Sequence, residues 1–264
     1  MYPSLEIEDP SDHPLARLTP LAPPPHPKPV PTTAFDAMIG MYRMGTGCES
    51  SPVARLEKIA RACDPTVSLL LQGAFLCGVG ARGNDPRTGW SADRESLGHC
   101  CAGLKLLARA FLEMTRKDRE HAFVAAKSDA GCKDLVISVV GALCEAHVAS
   151  AMSDAGMSVF EGAVDDDIEL EVDQIATFPD MSDGLLVQVK GDRDWTGLEF
   201  VPIIGSPVTN ATLAKAERFN LANKVRFTPV LARLGTGSGA LFGYRDPDRL
   251  EAAKRSLALL RGPA

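Results

Sequence analysis

Apolar residues recur every three or four positions through most of the first half of the chain, which predicts a series of helices. The helical spacing runs through residues 35–44, 52–63, 66–80, 91–116 and 117–128. Two of these segments begin with a capping side chain followed by proline, at Ser51 and Pro52 and at Asp64 and Pro65. Proline fits the first turn of a helix. We therefore predict an all-helical domain over residues 35–130.

Near residue 131 the pattern changes to one long helix followed by short strands. Residues 134–156 have helical spacing with apolar residues mostly on one side, and Gly156 is suited to end the helix. The pattern then predicts strands over 157–164, 168–178, 185–189 and 198–204, a helix over 210–223, strands over 227–234 and 240–244, and a helix from 247 to 260. The strand at 185–189 is nearly all apolar, which favours a central position. This order indicates an α/β fold built on a mixed sheet.

Proline dominates the first 34 residues, where ten of the nineteen prolines lie. Each proline fixes φ and removes a hydrogen-bond donor, so that helix and sheet are both disfavoured. We predict a Pro-rich arm over residues 1–34. Two interpretations are open: a flexible leader, or an arm that docks on a partner or on the body of the protein.

Charge and apolar content exclude some classes of protein. The net charge of −6 argues against binding nucleic acid by bulk charge alone, although basic residues can still cluster locally. No apolar run reaches the roughly 18 residues that span a bilayer, and the N-terminus lacks the layout of a signal peptide. We therefore expect a cytoplasmic protein without a membrane partner. The seven cysteines include no CxxC pair, which favours buried thiols over a zinc site.

Candidate chemistry lies at the end of the central predicted strand, at Gln188 and Lys190. Side chains alternate across a strand, so these two face one side, while Val189 points into the core and offers its backbone carbonyl. Asp173 lies on the preceding predicted strand, and Glu145 lies on the long helix before it. Metal-dependent hydrolysis of a phosphodiester needs hard oxygen ligands, a group that positions hydroxide, and positive charge at the phosphate. These residues offer all three.

The stretch from Val172 to Gly191, with its upstream helix, closely resembles the PD-(D/E)XK, or restriction-endonuclease-like, nuclease superfamily. There an acidic residue on one strand of a hairpin is followed by an acid-x-lysine triplet on the next, and a further glutamate lies on the preceding helix. The resemblance covers residues 131–245. It implies a restriction-endonuclease-like α-β-β-β-α-β core with a mixed sheet within residues 131–264. It also implies an endonuclease or exonuclease that depends on Mg²⁺ or Mn²⁺, with DNA as the favoured substrate.

The same resemblance assigns a role to each site residue. Asp173 would be the central metal ligand, and Lys190 would orient or deprotonate the attacking water. Gln188, the Val189 carbonyl and Glu145 would be further ligands. Gln188 stands where the family usually has Glu or Asp, so the triplet is a Q-x-K variant that lacks one negative charge.

Other residues compete for these roles or extend them. The acidic run at 165–167 is more typical of a solvated turn, and Asp180 lies in a predicted turn only eight positions before Gln188, so Asp173 is preferred. Basic residues on or just after the helix at 210–223 would contact backbone phosphate in the family, with a solvated helix face as the alternative. These residues are Lys215, Arg218 and Lys224, together with Arg226.

Two functions remain open from the sequence. The first is a metal-dependent nuclease of a restriction, defence or mobile-element system, in which the helical domain or the Pro-rich arm binds a protein partner or forms a homo-oligomer. The second is a non-catalytic module of the same fold, which would act as a nucleic-acid-binding or structural subunit of a larger complex.

Overall fold

The computed structural model of the chain describes residues 19–20, 32–48, 52–61, 64–82, 94–161, 172–179, 183–192, 194–203, 210–236 and 247–261. The helices in these ranges are α1 (Thr32–Thr46), α2 (Pro52–Ala60), α3 (Pro65–Arg82), α4 (Arg94–Leu112), α5 (Arg116–Lys127), α6 (Lys133–Asp154), α7 (Asn210–Asn223) and α8 (Pro247–Arg261). The strands are β1 (Thr19–Pro20), β2 (Ser158–Glu161), β3 (Gln174–Thr177), β4 (Asp183–Asp192), β5 (Leu198–Pro202) and β6 (Arg226–Gly235). A short 3-10 turn (Ala130–Cys132) leads into α6. The described chain is therefore mixed α/β with a helical first half, as predicted.

In the first half of the chain, α1, α2 and α4 pack around α3, which is buried along most of its length, while α5 packs against α1 and α6. Glycines allow this approach. A Cβ added at Gly73 would lie 2.6 Å from the Leu107 Cγ on α4, and one at Gly103 would lie 2.8 Å from the Gly73 carbonyl oxygen. The helical part is thus held by backbone-to-backbone proximity as well as by apolar side chains.

The Pro-rich arm is described at its end and at one internal point. Helix α1 begins at Thr32, inside the range predicted for the arm. Thr19 and Pro20 pair with Glu161 and Phe160 at the edge of the sheet. The rest of the predicted arm lies outside the described residues.

Helix α6 is the centre of the fold. The prediction of a single apolar side is wrong, because thirteen residues around the helix are buried. It packs against α3, α4 and α5 and also against β2, β3, β4 and β6. By length and composition α6 could cross a membrane, but 72% of its most apolar window is buried in the protein, as in the core helix of a soluble protein.

Helix α6 ends as its sequence predicts. Gly156 has a φ of +85°, a left-handed conformation that favours glycine. The N–H of Gly156 donates to the Ser153 carbonyl (2.9 Å), and the N–H of Met157 donates to the Met152 carbonyl (3.0 Å). This is the Schellman arrangement, which stops the helix and turns the chain into β2.

The sheet has the order β1-β2-β3-β4-β6-β5. Strands β2, β3 and β4 are antiparallel neighbours, β4 and β6 are parallel, and β5 is antiparallel to β6. The central position predicted for the apolar strand is confirmed for β4, which lies between β3 and β6. Two predicted strands, at 157–164 and 168–178, extend into residues outside the described part of the chain. The strand predicted at 240–244 lies wholly outside it.

The sheet is covered on both faces. Leu185, Val187 and Val189 of β4 belong to the large core cluster with α6, and Leu186 belongs to a smaller cluster under α7. The large cluster also contains residues of α1, α3, α4 and α5. The two predicted domains therefore share one hydrophobic core, and the boundary predicted at residues 130 and 131 falls inside the 3-10 turn.

Candidate active site

Asp173 lies where β3 begins, and it is hydrogen-bonded to β4 through both backbone and side chain. Its N–H donates to the Val187 carbonyl oxygen (2.9 Å), and its Oδ2 accepts from the Val189 N–H (2.6 Å). Asp173 is thus held to the backbone on either side of Gln188, through its N–H on one side and its carboxylate on the other. In a strand the N–H and C=O of one residue point to the same edge, so the Val189 carbonyl points to the edge that Asp173 occupies.

The directions of the Gln188 and Lys190 side chains follow from the alternation of side chains along β4. Val187 and Val189 are buried towards α6, whereas Gln188 is half-buried and Lys190 is exposed. Both polar side chains lie on the face of Leu186, because successive side chains of a strand point to opposite faces. The triplet therefore has one buried valine between a partly shielded amide and a solvent-facing ammonium.

Glu145 reaches the site from α6. It lines a small cavity of about 10 Å³ together with Asp173, a volume close to that of one water molecule. Gln174 connects the two elements, because its Nε2 donates to the Glu145 backbone carbonyl (2.8 Å). Gln188 and Lys190 do not line this cavity. The structure thus brings Glu145 and Asp173 together, and Asp173 alone bridges the cavity and the backbone of the Gln188 triplet.

The thiol of Cys144, next to Glu145 in the sequence, is affected by the negative charge of the site. Burial raises the pKa of Cys144 to about 12, and the negative charges of Glu145 and Asp173 add to the rise. Cys144 is therefore a neutral, buried thiol. The same two carboxylates create a negative potential that favours a cation at their cavity.

The oxygen donors in this region fit a hard divalent cation. Carboxylates, amide oxygens and backbone carbonyls are the ligands that Mg²⁺ and Mn²⁺ take in proteins, and Mg²⁺ keeps several water ligands. Asp173 and Glu145 would supply the charge, while Gln188 and Val189 would supply neutral oxygens. Across the described part of the chain, no group of three or more His, Cys, Asp or Glu residues gathers as a metal site. Among the described residues, Glu145 and Asp173 are the two carboxylates at this cavity, and the neutral oxygens would share the coordination with them.

The basic residues predicted to bind nucleic acid are spread along α7 and beyond it. Arg218 is exposed, and Lys215 is half-buried on the same helix. Lys224, with a φ of +53°, lies between α7 and β6. Arg226 pairs with Asp183 at the start of β4, seven residues before Lys190, a distance of roughly 23 Å along a strand.

Lys224 and Arg226 therefore lie at the opposite end of the sheet from Lys190. They line a larger cavity of about 790 Å³ between α7 and the starts of β4 and β6. The structure does not bring Lys224 to the candidate site.

Of the rival residues, the acidic run at 165–167 and Asp180 lie outside the described residues. His147 is buried on α6. The prediction from sequence missed Lys105 of α4, a lysine with 7% of its surface exposed that lines the same cavity as Glu145 and Asp173. A signal was present, since Lys105 falls on the apolar face of α4 with Cys101 and Ala108, one turn before and after it.

No family model, curated protein or solved structure matches this chain.

Proposed function

We propose that this protein is a metal-dependent nuclease with a restriction-endonuclease-like core, and that DNA is its favoured substrate. The observation that carries the proposal is the position of Asp173, whose Oδ2 accepts from the Val189 N–H at 2.6 Å. This hydrogen bond sets a carboxylate directly beside the Q-x-K triplet, and Glu145 shares a cavity with it. The chain order α6-β2-β3-β4-β5-α7-β6, with β4 parallel to β6, supports the proposal, since it contains the expected α-β-β-β-α-β order with β5 as an accessory strand before α7.

Each residue has a role that follows from its position. Asp173 and Glu145 would hold Mg²⁺ or Mn²⁺ with the carbonyl oxygen of Val189. Gln188 would add its amide oxygen from the edge of β4, because its side chain lies on the face turned away from α6. The bound ion would supply Lewis acidity and a more acidic water. The exposed ammonium of Lys190 would hold the attacking water by hydrogen bonding and offset charge on the phosphate. Lys190 is exposed and lies outside this cavity, so substrate would approach from the solvent-facing end of β4.

The test is cleavage of plasmid DNA, single-stranded DNA and RNA with Mg²⁺, Mn²⁺ or EDTA. Wild type is compared with Lys190→Ala and with Lys58→Ala, an exposed lysine on α2 that serves as the matched control. We expect cutting that needs metal, falls about a hundredfold or more in Lys190→Ala, and is unchanged in Lys58→Ala. Equal cutting by wild type and Lys190→Ala would refute the assignment of Lys190.

A second function is favoured by one observation, the neutral Gln188 next to a cavity that two carboxylates line within the described part of the chain. A site with so little charge could leave a non-catalytic module that binds nucleic acid or joins a larger complex. A folded protein that binds DNA in a filter-binding assay, takes up no Mn²⁺ and cuts none of the three substrates would establish this alternative.

A further inference from the structure

Three described residues of α4 line the cavity of Glu145 and Asp173: the charged Lys105 and the apolar Ala108 and Leu112. Lys105 is 7% exposed, on a helix that packs directly against α6. An ammonium group buried this deeply is costly unless opposite charge lies close to it. The two carboxylates of the same cavity are of the required sign.

Gln174 gives a second, independent observation on this cavity. The side chain is 3% exposed, and its Nε2 donates to the Glu145 carbonyl. Its Oε1 is buried and has no hydrogen-bond partner within the part of the chain described here. A buried acceptor without a donor favours a cation or a water in the space it lines. The cavity therefore combines two carboxylates and an amide oxygen with a single lysine.

We propose that Lys105 is an internal counterion of Glu145 and Asp173, which holds the two carboxylates together without metal and competes with the divalent ion for them. This inference rests on the proposed metal site, but not on cleavage. Like charges in one small cavity repel each other, and a lysine reduces that repulsion. A divalent ion brought to the same carboxylates is repelled by the ammonium, so Lys105 stabilises the metal-free protein and weakens metal binding.

The consequence is a link between the two halves of the chain. Lys105 belongs to α4, whereas Glu145 belongs to α6 and Asp173 precedes β3. The packing of α4 against α6 thereby sets the affinity of the site for metal. Lys105 is a positioning residue, since it acts through the carboxylates.

The test compares the full chain with Lys105→Met, which keeps the length and apolar stem of lysine without its charge. Thermal unfolding is measured in EDTA, and Mn²⁺ binding is measured by calorimetry. We expect Lys105→Met to lower the Tm in EDTA by about 6 °C or more. We also expect it to bind Mn²⁺ at least about tenfold more tightly than wild type.

The matched control is Arg119→Met. Arg119 is a second buried cation, with 3% exposure, and its guanidinium donates to the Phe111 and Met114 carbonyls instead of facing the site. Its replacement should lower the Tm in EDTA but leave Mn²⁺ affinity within about twofold. Mn²⁺ affinity that is unchanged or weaker in Lys105→Met would overturn the competition.

A double-mutant cycle with Glu145→Gln tests the counterion role even where Lys105→Met folds poorly. The double variant Lys105→Met with Glu145→Gln should be more stable in EDTA than Lys105→Met alone, because one of the two unbalanced charges is gone. An equal or lower Tm for the double variant would overturn the counterion role. Coupling in this cycle without any cleavage would support the counterion role and refute the proposed nuclease. Cleavage without coupling would support the nuclease and refute the counterion role.

Discussion

The hydrogen bond between Asp173 and Val189 allows the structural and chemical roles of this carboxylate to be separated. Asp173→Ala removes the acceptor of the Val189 N–H, which lies at 2.6 Å in a partly buried position. Hydrogen bonds to charged groups contribute about 1.5–3 kcal/mol to stability. We therefore expect Asp173→Ala to lower the free energy of unfolding by about 2 kcal/mol. For a chain of this size the Tm should fall by about 4–8 °C.

Asp173→Asn is the informative partner. Its amide oxygen can still accept from the Val189 N–H, and Glu145 remains as a counterion of Lys105, so the loss of stability should be about 1 kcal/mol or less. Both variants lack the negative charge, and both should lose Mn²⁺ binding and cleavage. Unfolding in urea, followed by circular dichroism in EDTA, gives the stabilities, and calorimetry gives the Mn²⁺ affinities. Asp36→Ala, at an exposed position on α1, is the control and should change stability by no more than about 0.5 kcal/mol.

Three results would refute this reasoning. Wild-type stability in Asp173→Ala would mean that the hydrogen bond to Val189 does not hold the strands. Equal losses in Asp173→Ala and Asp173→Asn would mean that the charge, and not the acceptor, stabilises the fold. Undiminished Mn²⁺ binding by Asp173→Asn would remove Asp173 from the metal site.

Three further predictions follow from single positions. Gln188→Glu restores a third carboxylate and should tighten Mn²⁺ binding about tenfold in calorimetry; unchanged affinity would show that Gln188 does not meet the metal. Gly156→Ala places a Cβ at a φ of +85° and should cost about 1 kcal/mol in urea unfolding, whereas a more stable variant would contradict the cap. Burial and the negative charges of Glu145 and Asp173 raise the pKa of Cys144 to about 12, so its thiol stays protonated near neutral pH. Peptide mapping should therefore find Cys144 alkylated by iodoacetamide only after unfolding, and fast labelling of the native protein would refute this.

Elements with a strong local pattern were predicted closely. Helix α7 has the predicted bounds, Asn210–Asn223, and α6 differs from the predicted range by one residue at its start and two at its end. The central position of β4 followed from its nearly all-apolar run over 185–189, since a strand with neighbours on both sides and both faces covered exposes little of its length to solvent. These features depend on residues a few positions apart, and the spacing of apolar residues along the sequence shows them directly.

The sidedness of α6 could not be obtained in this way. Its sequence mixes small residues such as Ala142, Ala149 and Ser150 among larger ones, and small residues suit a solvent-facing side as well as a tightly packed one. Burial of this helix is decided by α4 and the sheet, which approach from different parts of the chain. The same holds for Lys105, which is buried beside a cavity that it shares with Glu145 and Asp173 from other elements.

The sequence by itself determined the element order, the alternation that sets Gln188 and Lys190 on one face, and the residue types suited to a divalent metal. Only the tertiary structure decided that Asp173 is hydrogen-bonded to Val189 and that Lys224 lies at the far end of the sheet. The physical reason is the distance along the chain over which each kind of interaction acts. Periodicity and capping act over a few residues, whereas strand register and the sharing of a cavity depend on contacts between segments that lie far apart in the chain.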